Sequence, residues 1–86
     1  VTGVLSQFRT DDRILAWDLW NEPDNPARVY RKVERKDKLE RVADLLSLVF
    51  GWARAVDTSQ PLTSAVWQGE WGNPERRSTI ANIQLD

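Results

Sequence analysis

Two short apolar runs on either side of a long amphipathic segment constrain the fold of this chain most strongly. Residues 14–20 (ILAWDLW) carry a single charge, and residues 62–67 (LTSAVW) are rich in β-forming side chains. Such short apolar runs are typical of strands buried on both faces of a parallel sheet. Between them, apolar residues recur every three or four positions over residues 39–56, which predicts a helix of about five turns. Strand, helix and strand in this order predict a parallel β-α-β unit.

Two further helical segments flank this unit. Residues 2–8 have the apolar spacing of a helix tail. After the second strand, Asn73 is a plausible N-cap and Pro74 a plausible first-turn residue, which predicts a last helix over residues 74–84. The chain is therefore predicted to be α/β, a parallel β-α-β-α segment. Two strands leave both sheet edges open, so the unit needs neighbouring strands.

The long central helix has a recognisable start. Asp37 is the predicted N-cap, and Glu40, three residues on, is its predicted capping-box partner. Gly51 lies inside the helix and weakens it relative to alanine. We expect a close packing contact at Gly51 to explain the choice of glycine.

The composition limits the available chemistry. The chain has 86 residues, enough for one small domain, with no cysteine and no histidine. Disulfides, thiolate or HExxH zinc sites, and catalytic schemes that use a histidine base are thereby excluded. Catalysis must rest on carboxylates, lysine or tyrosine, and we expect no metal and no cofactor. No run approaches the roughly 18–20 apolar residues of a membrane span, so we expect no membrane partner.

The charge is balanced overall but uneven along the chain. The formal net charge is -1, yet residues 28–41 contain seven basic and three acidic residues. We interpret this stretch as a solvated loop and the first helical turn. A nucleic-acid site would need interleaved aromatic residues, and only Tyr30 is present, so no nucleic-acid partner is expected.

Glu22 is the strongest candidate for a catalytic residue. It follows the first predicted strand, where a proline-containing loop begins. In β/α barrels, catalytic side chains are presented at this C-terminal end of the strands. We expect Trp20 and the apolar strand residues to desolvate the Glu22 carboxyl and favour its proton-donating form. The neighbouring Asn21 offers a donor and an acceptor to a substrate hydroxyl.

The motif Trp-Asp-Leu-Trp-Asn-Glu-Pro at residues 17–23 resembles the clan A glycoside hydrolases, most closely the family 5 (cellulase-like) enzymes. In that family an Asn-Glu pair, usually followed by proline, ends the fourth strand of a (β/α)8 TIM barrel. The resemblance continues through residues 53–57 and 60–67, which are similar to the following helix end and the fifth strand. It spans roughly residues 12–67. The resemblance implies that residues 1–86 are a fragment of a single catalytic barrel domain, a partial TIM barrel.

The resemblance assigns roles to two residues. Glu22 would be the acid/base of a retaining mechanism on a β-linked oligo- or polysaccharide, and Asn21 would hold the sugar 2-hydroxyl. The family's nucleophile ends the seventh strand, which is not in this sequence, and the family pattern makes neither Glu70 nor Glu75 its replacement. The family's chemistry needs no cofactor. By the same resemblance, we expect a secreted or periplasmic protein.

Tryptophan is frequent, with five among the 86 residues. Trp67, at the end of the second predicted strand, and Trp71, in the next loop, are candidate platforms on which a sugar ring stacks. Trp17 is expected to pack between sheet and helices, and Trp52 to lie in the core or on the helix surface. Asp18 is expected to be a buried, hydrogen-bonded partner.

Four alternatives remain open at this point. The parent barrel is a catalytic hydrolase, or it is a non-catalytic glycan-binding barrel that lacks the nucleophile, or the chain is a truncated, inactive fragment. An independent β-α-β interaction module is also conceivable, although its open sheet edges count against it. As a fragment, the isolated chain is expected to be inactive and poorly folded, with the rest of its own barrel as its partner.

Overall fold

The computed structural model describes residues 1–69 and 72–85. The elements are α1 (Thr2–Phe8), β1 (Trp17–Asp18), a 3-10 helix (Arg28–Tyr30), α2 (Lys38–Val56), β2 (Leu62–Thr63) and α3 (Thr79–Leu85). The two strands pair in parallel, with Trp17 opposite Leu62 and Asp18 opposite Thr63. Helices α1 and α3 both pack against α2. The predicted α/β class, with two parallel strands joined through a long helix, is confirmed.

The strands are shorter than the apolar runs that predicted them. Hydrogen bonding between the two runs nevertheless continues past β1. The Leu19 N–H donates to the Thr63 carbonyl at 2.8 Å, and the Glu22 N–H donates to the Ala65 carbonyl at 3.0 Å. Between these two bonds the chain advances three residues on the side of β1, from Leu19 to Glu22, and two on the side of β2, from Thr63 to Ala65. An extra residue of this kind is the mark of a β-bulge, which ends regular pairing and re-aims the side chains beyond it.

The core lies between α2, α3 and one face of the two runs. Its buried centre consists of Val42, Leu46, Phe50 and Ile80, with Leu19, Trp20, Leu62, Val66 and Ile83 packed against it. The buried positions of α2 recur at three and four, which confirms the predicted periodicity. Leu39, the first apolar position of the predicted helical pattern, is 51% exposed and does not join this core.

The start of α2 differs from the predicted capping box. Asp37 precedes the helix, but its carboxylate makes no capping hydrogen bond. It instead binds the guanidinium groups of Arg35 at 2.8 Å and Arg41 at 3.0 Å. Hydrogen bonds from Arg35 and then Arg41 hold the pKa of the Asp37 carboxyl well below its usual range. Competition from two arginines therefore replaces the predicted cap.

Two other predictions about the helices are wrong. Gly51 is exposed, and a Cβ built there meets no atom within 4 Å, so no packing contact requires glycine. Helix α3 begins at Thr79, because the Ser78 hydroxyl accepts a hydrogen bond from the Ala81 N–H at 3.1 Å. Asn73 caps only a turn, in which its side chain accepts from the Glu75 N–H at 3.1 Å.

A buried glutamine fixes the N-terminal end of the sheet. Gln60 is 5% exposed. Its amide nitrogen donates to the carbonyls of Phe8 at 3.0 Å and Asp11 at 2.7 Å. Its amide oxygen accepts from the Trp17 indole N–H at 3.0 Å. This one side chain therefore joins the end of α1, the loop after it and β1.

The two edges of the sheet differ in whether their outward-facing backbone groups are hydrogen-bonded. On the outer edge of β2, the Gln84 side chain accepts from the Ser64 N–H at 2.9 Å and donates to the Ser64 carbonyl. A side-chain amide from α3 thus takes the place that a neighbouring strand would occupy. On the outer edge of β1, by contrast, no other strand among the described residues pairs with the backbone, and the nearby Leu15 is 91% exposed.

The chain exposes more surface than a compact protein of its size. Its accessible surface is 6410 Å², whereas a compact monomer of this mass exposes about 5,200 Å². Its radius of gyration is 14.2 Å, against about 12 Å for a compact domain of this length. Part of the excess is apolar, including Leu15, Leu45 and Leu48. No helix among the described residues is long and apolar enough to cross a membrane.

Candidate functional site

Glu22 lies where the parallel pairing ends. Its N–H makes the last hydrogen bond between the two runs, and its backbone has a φ of 47°, in the left-handed region. Pro23 follows, and the Asn25 N–H closes the turn onto the Glu22 carbonyl at 3.0 Å. Proline suits the second position of such a turn because its φ is already fixed. A non-glycine residue at positive φ costs on the order of 1–3 kcal/mol, and such strain concentrates at functional sites.

The Glu22 carboxyl is half-buried and has one described partner. The Asn25 side-chain amide donates to its Oε2 at 3.1 Å. Within residues 1–69 and 72–85, no donor reaches its Oε1. One oxygen is therefore held by the protein, and the other is open to a proton acceptor or donor from a ligand. This geometry suits a carboxyl that transfers a proton.

Asn21 is exposed, and the described part of the chain gives its side chain no hydrogen-bond partner. It lies in the bulge between Leu19 and Glu22, so strand alternation does not determine its direction. The structure thus leaves the predicted ligand of a sugar hydroxyl accessible and adjacent to Glu22.

Trp67 lies at the same end of the sheet as Glu22. Its ring is part of a side chain that is 47% exposed. Its backbone N–H donates to the Asp24 carboxylate at 3.0 Å, which links the loops that follow the two strands. The loops that contain Glu22 and Trp67 are therefore joined at the same end of the sheet, as expected for the ends of parallel strands. Trp71 and Glu70 lie outside the described residues.

Asp24, Asn25 and Lys38 make contacts at this site that the sequence did not predict. Lys38 donates to the Asn25 carbonyl at 2.6 Å and forms an ion pair with Glu34. It thereby ties the turn that holds Glu22 to the first turn of α2. Asn and Asp after a proline signal a turn in the sequence. Their partners, however, lie on other elements, and local sequence does not specify them.

The remaining predicted side chains are placed as follows. Trp17 is half-buried, and its indole N–H donates to the side chain of Gln60 in the loop before β2. Trp52 is 46% exposed on α2, and Trp20 packs on the core. Asp18 is exposed rather than buried, so its expected role as a buried partner is wrong. The open face of the two-stranded sheet, on which no described element packs, explains this exposure.

A groove of about 380 Å³ opens beside the Asp24 turn. Its walls come from the loops after β1 and β2 and from the starts of α2 and α3, and include Asp24, Pro26, Leu39 and Gln68. Glu22 is not one of its lining residues. Grooves of about 330 and 420 Å³ lie at the opposite end of the sheet, beside Gln60 and Trp17. Among residues 1–69 and 72–85, no cluster of acidic side chains is placed to hold a metal ion.

Comparisons of the chain with protein-family models, with curated proteins and with solved structures found no match.

Proposed function

We propose that this chain supplies the fourth and fifth strands of a (β/α)8 barrel glycoside hydrolase of clan A, similar to family 5, with Glu22 as its acid/base. The observation that carries the proposal is the Glu22 carboxyl itself. It stands at the C-terminal end of a parallel strand, with one oxygen held by Asn25 and the other open, beside the exposed Trp67. Catalytic residues of barrel enzymes occupy this position.

The reaction is the hydrolysis of a β-linked glycan with retention of configuration. In the first step a carboxylate from another strand, outside this sequence, attacks the anomeric carbon, and the glycosidic C–O bond breaks. Glu22 gives its proton to the departing oxygen. In the second step Glu22 takes a proton from water, whose oxygen displaces the enzyme carboxylate. The two carboxyl groups of such a pair stand about 5–5.5 Å apart.

The other residues act on binding and orientation. Asn21 binds the sugar 2-hydroxyl, a contact that strengthens in the oxocarbenium-like transition state. Trp67 offers the flat face of its ring to the apolar face of a sugar. Asn25 is a positioning residue, because its hydrogen bond fixes the rotamer of Glu22.

The surface of the chain supports a larger barrel. Leu15 beside β1 and the Leu45 and Leu48 side chains of α2 are exposed apolar groups. In a barrel, the preceding strand would pair beside β1, and neighbouring helices would cover the flank of α2. The excess surface area and radius of gyration agree with such missing contacts.

The test is a comparison of Glu22→Gln with the unsubstituted protein, made in the chain as its gene encodes it. The rate on an unactivated β-glycan falls by about 10²–10⁴-fold when a general acid is lost. The formation of the glycosyl-enzyme from an aryl glycoside with a good leaving group falls far less, because that departing oxygen needs no proton. Glu75→Gln, an exposed glutamate in the turn before α3, is the matched control and leaves both rates unchanged.

Equal losses on the two substrates would show that Glu22 has a structural role instead. Full activity of Glu22→Gln on the unactivated glycan would remove it from the mechanism. Glycan binding without turnover would favour the alternative of a non-catalytic glycan-binding barrel.

One observation favours a second candidate, an independent β-α-β interaction module. The Gln84 amide satisfies both backbone groups of Ser64 on the outer edge of β2. A chain closed in this way needs no strand on that side. Cooperative unfolding of the isolated 86 residues would support this candidate, and the open edge beside β1 argues against it.

A further inference from the structure

Residues 28–36, the basic segment, form a hydrogen-bonded turn rather than an extended loop. The Arg28–Tyr30 3-10 helix opens it. The N–H groups of Val33 and Glu34 then both donate to the Tyr30 carbonyl, at 2.9 and 2.8 Å. The side chains of the segment therefore project from a fixed backbone frame.

Most of the positive charge in the basic segment is unneutralised. It contains five basic residues and one acidic residue. Glu34 is paired with Lys38, and Arg35 with Asp37. The other four basic residues have no acidic partner within residues 1–69 and 72–85 and are exposed: Arg28, Arg31, Lys32 and Lys36.

Exposed apolar side chains alternate with these charges. Val29 is 87% exposed, Tyr30 61% and Val33 77%. An exposed aromatic residue between two exposed arginines in the sequence offers a stacking surface together with donors for planar, bidentate recognition of an anion. A sugar ring that carries a carboxylate or a sulfate ester has both matching features.

A chain of contacts connects the basic segment to Glu22. Glu34 is paired with Lys38, the Lys38 ammonium also donates to the Asn25 carbonyl at 2.6 Å, and the Asn25 side chain donates to Glu22 at 3.1 Å. The segment consequently lies at the same end of the sheet as the proposed acid/base. A polymer bound across Glu22 would extend over it.

We propose, resting on the glycosidase function above, that the basic segment is a subsite for acidic glycans, which bear carboxylate or sulfate groups. Arg28 and Arg31 bind the anionic substituents, and Tyr30 contacts the ring. Nucleic acid is the weaker fit, because the chain is net -1 and the segment has one aromatic residue.

The experiment uses the chain as its gene encodes it and three probes with one backbone: an unsubstituted β-glucan, its carboxymethyl derivative and its sulfate ester. An oligothymidylate is the fourth probe. Dissociation constants are measured at low and high salt for the unsubstituted protein and for Arg28→Gln/Arg31→Gln. The control Arg9→Gln/Arg13→Gln removes the same charge from exposed positions at the opposite end of the sheet.

The proposal expects at least one charged glucan to bind more tightly than the uncharged one. Arg28→Gln/Arg31→Gln weakens that binding by about 3- to 10-fold, as is typical for two exposed charges, and leaves uncharged glucan unaffected. The control variant behaves as the unsubstituted protein. Salt at about 1 M abolishes the preference, because the screening length falls to about 3 Å. That salt dependence tests the proposal even where the double variant folds poorly.

Equal binding of charged and uncharged glucans would overturn the proposal, and so would tighter binding of oligothymidylate through the same arginines. The experiment distinguishes failure of the acidic-glycan subsite from failure of the glycosidase function. Cleavage of uncharged glucan without any preference would leave the glycosidase function intact and remove the acidic subsite. Arginine-dependent binding of a charged glucan without cleavage would do the reverse.

Discussion

The Gln60 side chain offers the sharpest test of how the sheet is assembled. Gln60→Leu replaces the amide with an apolar side chain of similar size and removes three hydrogen bonds. The Phe8 carbonyl still accepts from the Asp11 N–H at 3.0 Å, and the Asp11 carbonyl from the Ile14 N–H at 3.3 Å. Neither carbonyl is therefore left without a hydrogen bond. The half-buried Trp17 indole loses its acceptor. At about 0.5–1.5 kcal/mol for each bond, with the two carbonyls still satisfied, we expect a loss of about 2–3 kcal/mol.

The assay is urea unfolding of the gene-encoded chain, followed by tryptophan fluorescence. The control is Gln7→Leu, the same change at an exposed position of α1 near the same end of the sheet, and it changes the unfolding free energy by less than about 0.5 kcal/mol. Because Gln60 lies at the end opposite Glu22, activity at saturating substrate stays unchanged in the folded variant. A loss below about 0.5 kcal/mol for Gln60→Leu would show that these three hydrogen bonds contribute little to the stability of the sheet, contrary to this prediction.

Three further predictions concern the helix and the sheet edge. Gly51→Ala stabilises the chain by about 0.5–1 kcal/mol in thermal unfolding, because the position is helical, exposed and unobstructed; destabilisation would reveal a neighbour packed there. If a sixth strand pairs with Ser64, Gln84→Leu lowers the unfolding free energy of the gene-encoded chain by less than about 1 kcal/mol. In a self-contained module the same change lowers it by about 2–4 kcal/mol, because two backbone groups of Ser64 are left unsatisfied. The pKa of the Asp37 carboxyl is lowered in the folded chain, so its ion pairs stabilise the fold at any pH above the ordinary aspartate pKa of 3.8. This stabilisation is lost as the pH falls through the lower pKa of the folded state. NMR should find the carboxyl still ionised at about pH 3, where an ordinary aspartate is mostly protonated.

The long helix was predictable from the spacing of its apolar residues, and the parallel strands were predictable from two short, nearly continuous apolar runs. The spacing also predicts most of the buried positions of α2, although not the exposure of Leu39. Strand ends were less predictable, since the regular pairing stops where the backbone bulges between Leu19 and Glu22. The predicted capping of α2 was wrong for a different reason. Asp37 has the side chain of an N-cap, but two nearby arginines compete for its carboxylate.

The position of the candidate site was predictable from the sequence, but the hydrogen bonds within the site were not. A glutamate between an apolar strand and a proline marks the strand end in the sequence. The Asn25 contact to Glu22 and the Asp24 contact to Trp67 depend on how the turn folds back and where β2 ends. Asp18 was expected to be buried on the assumption of a closed barrel, and in this two-stranded sheet it faces open space.

Glu22 is proposed to be one of two carboxylates in a barrel active site. An experimental structure of the gene-encoded chain would give the distance from the Glu22 carboxyl to the nearest other carboxyl in the cleft. We predict a glutamate at the end of another parallel strand, about 5–5.5 Å away. A closed barrel without a carboxyl within about 10 Å of Glu22, or a fold in which no further strand pairs beside β1, would contradict it.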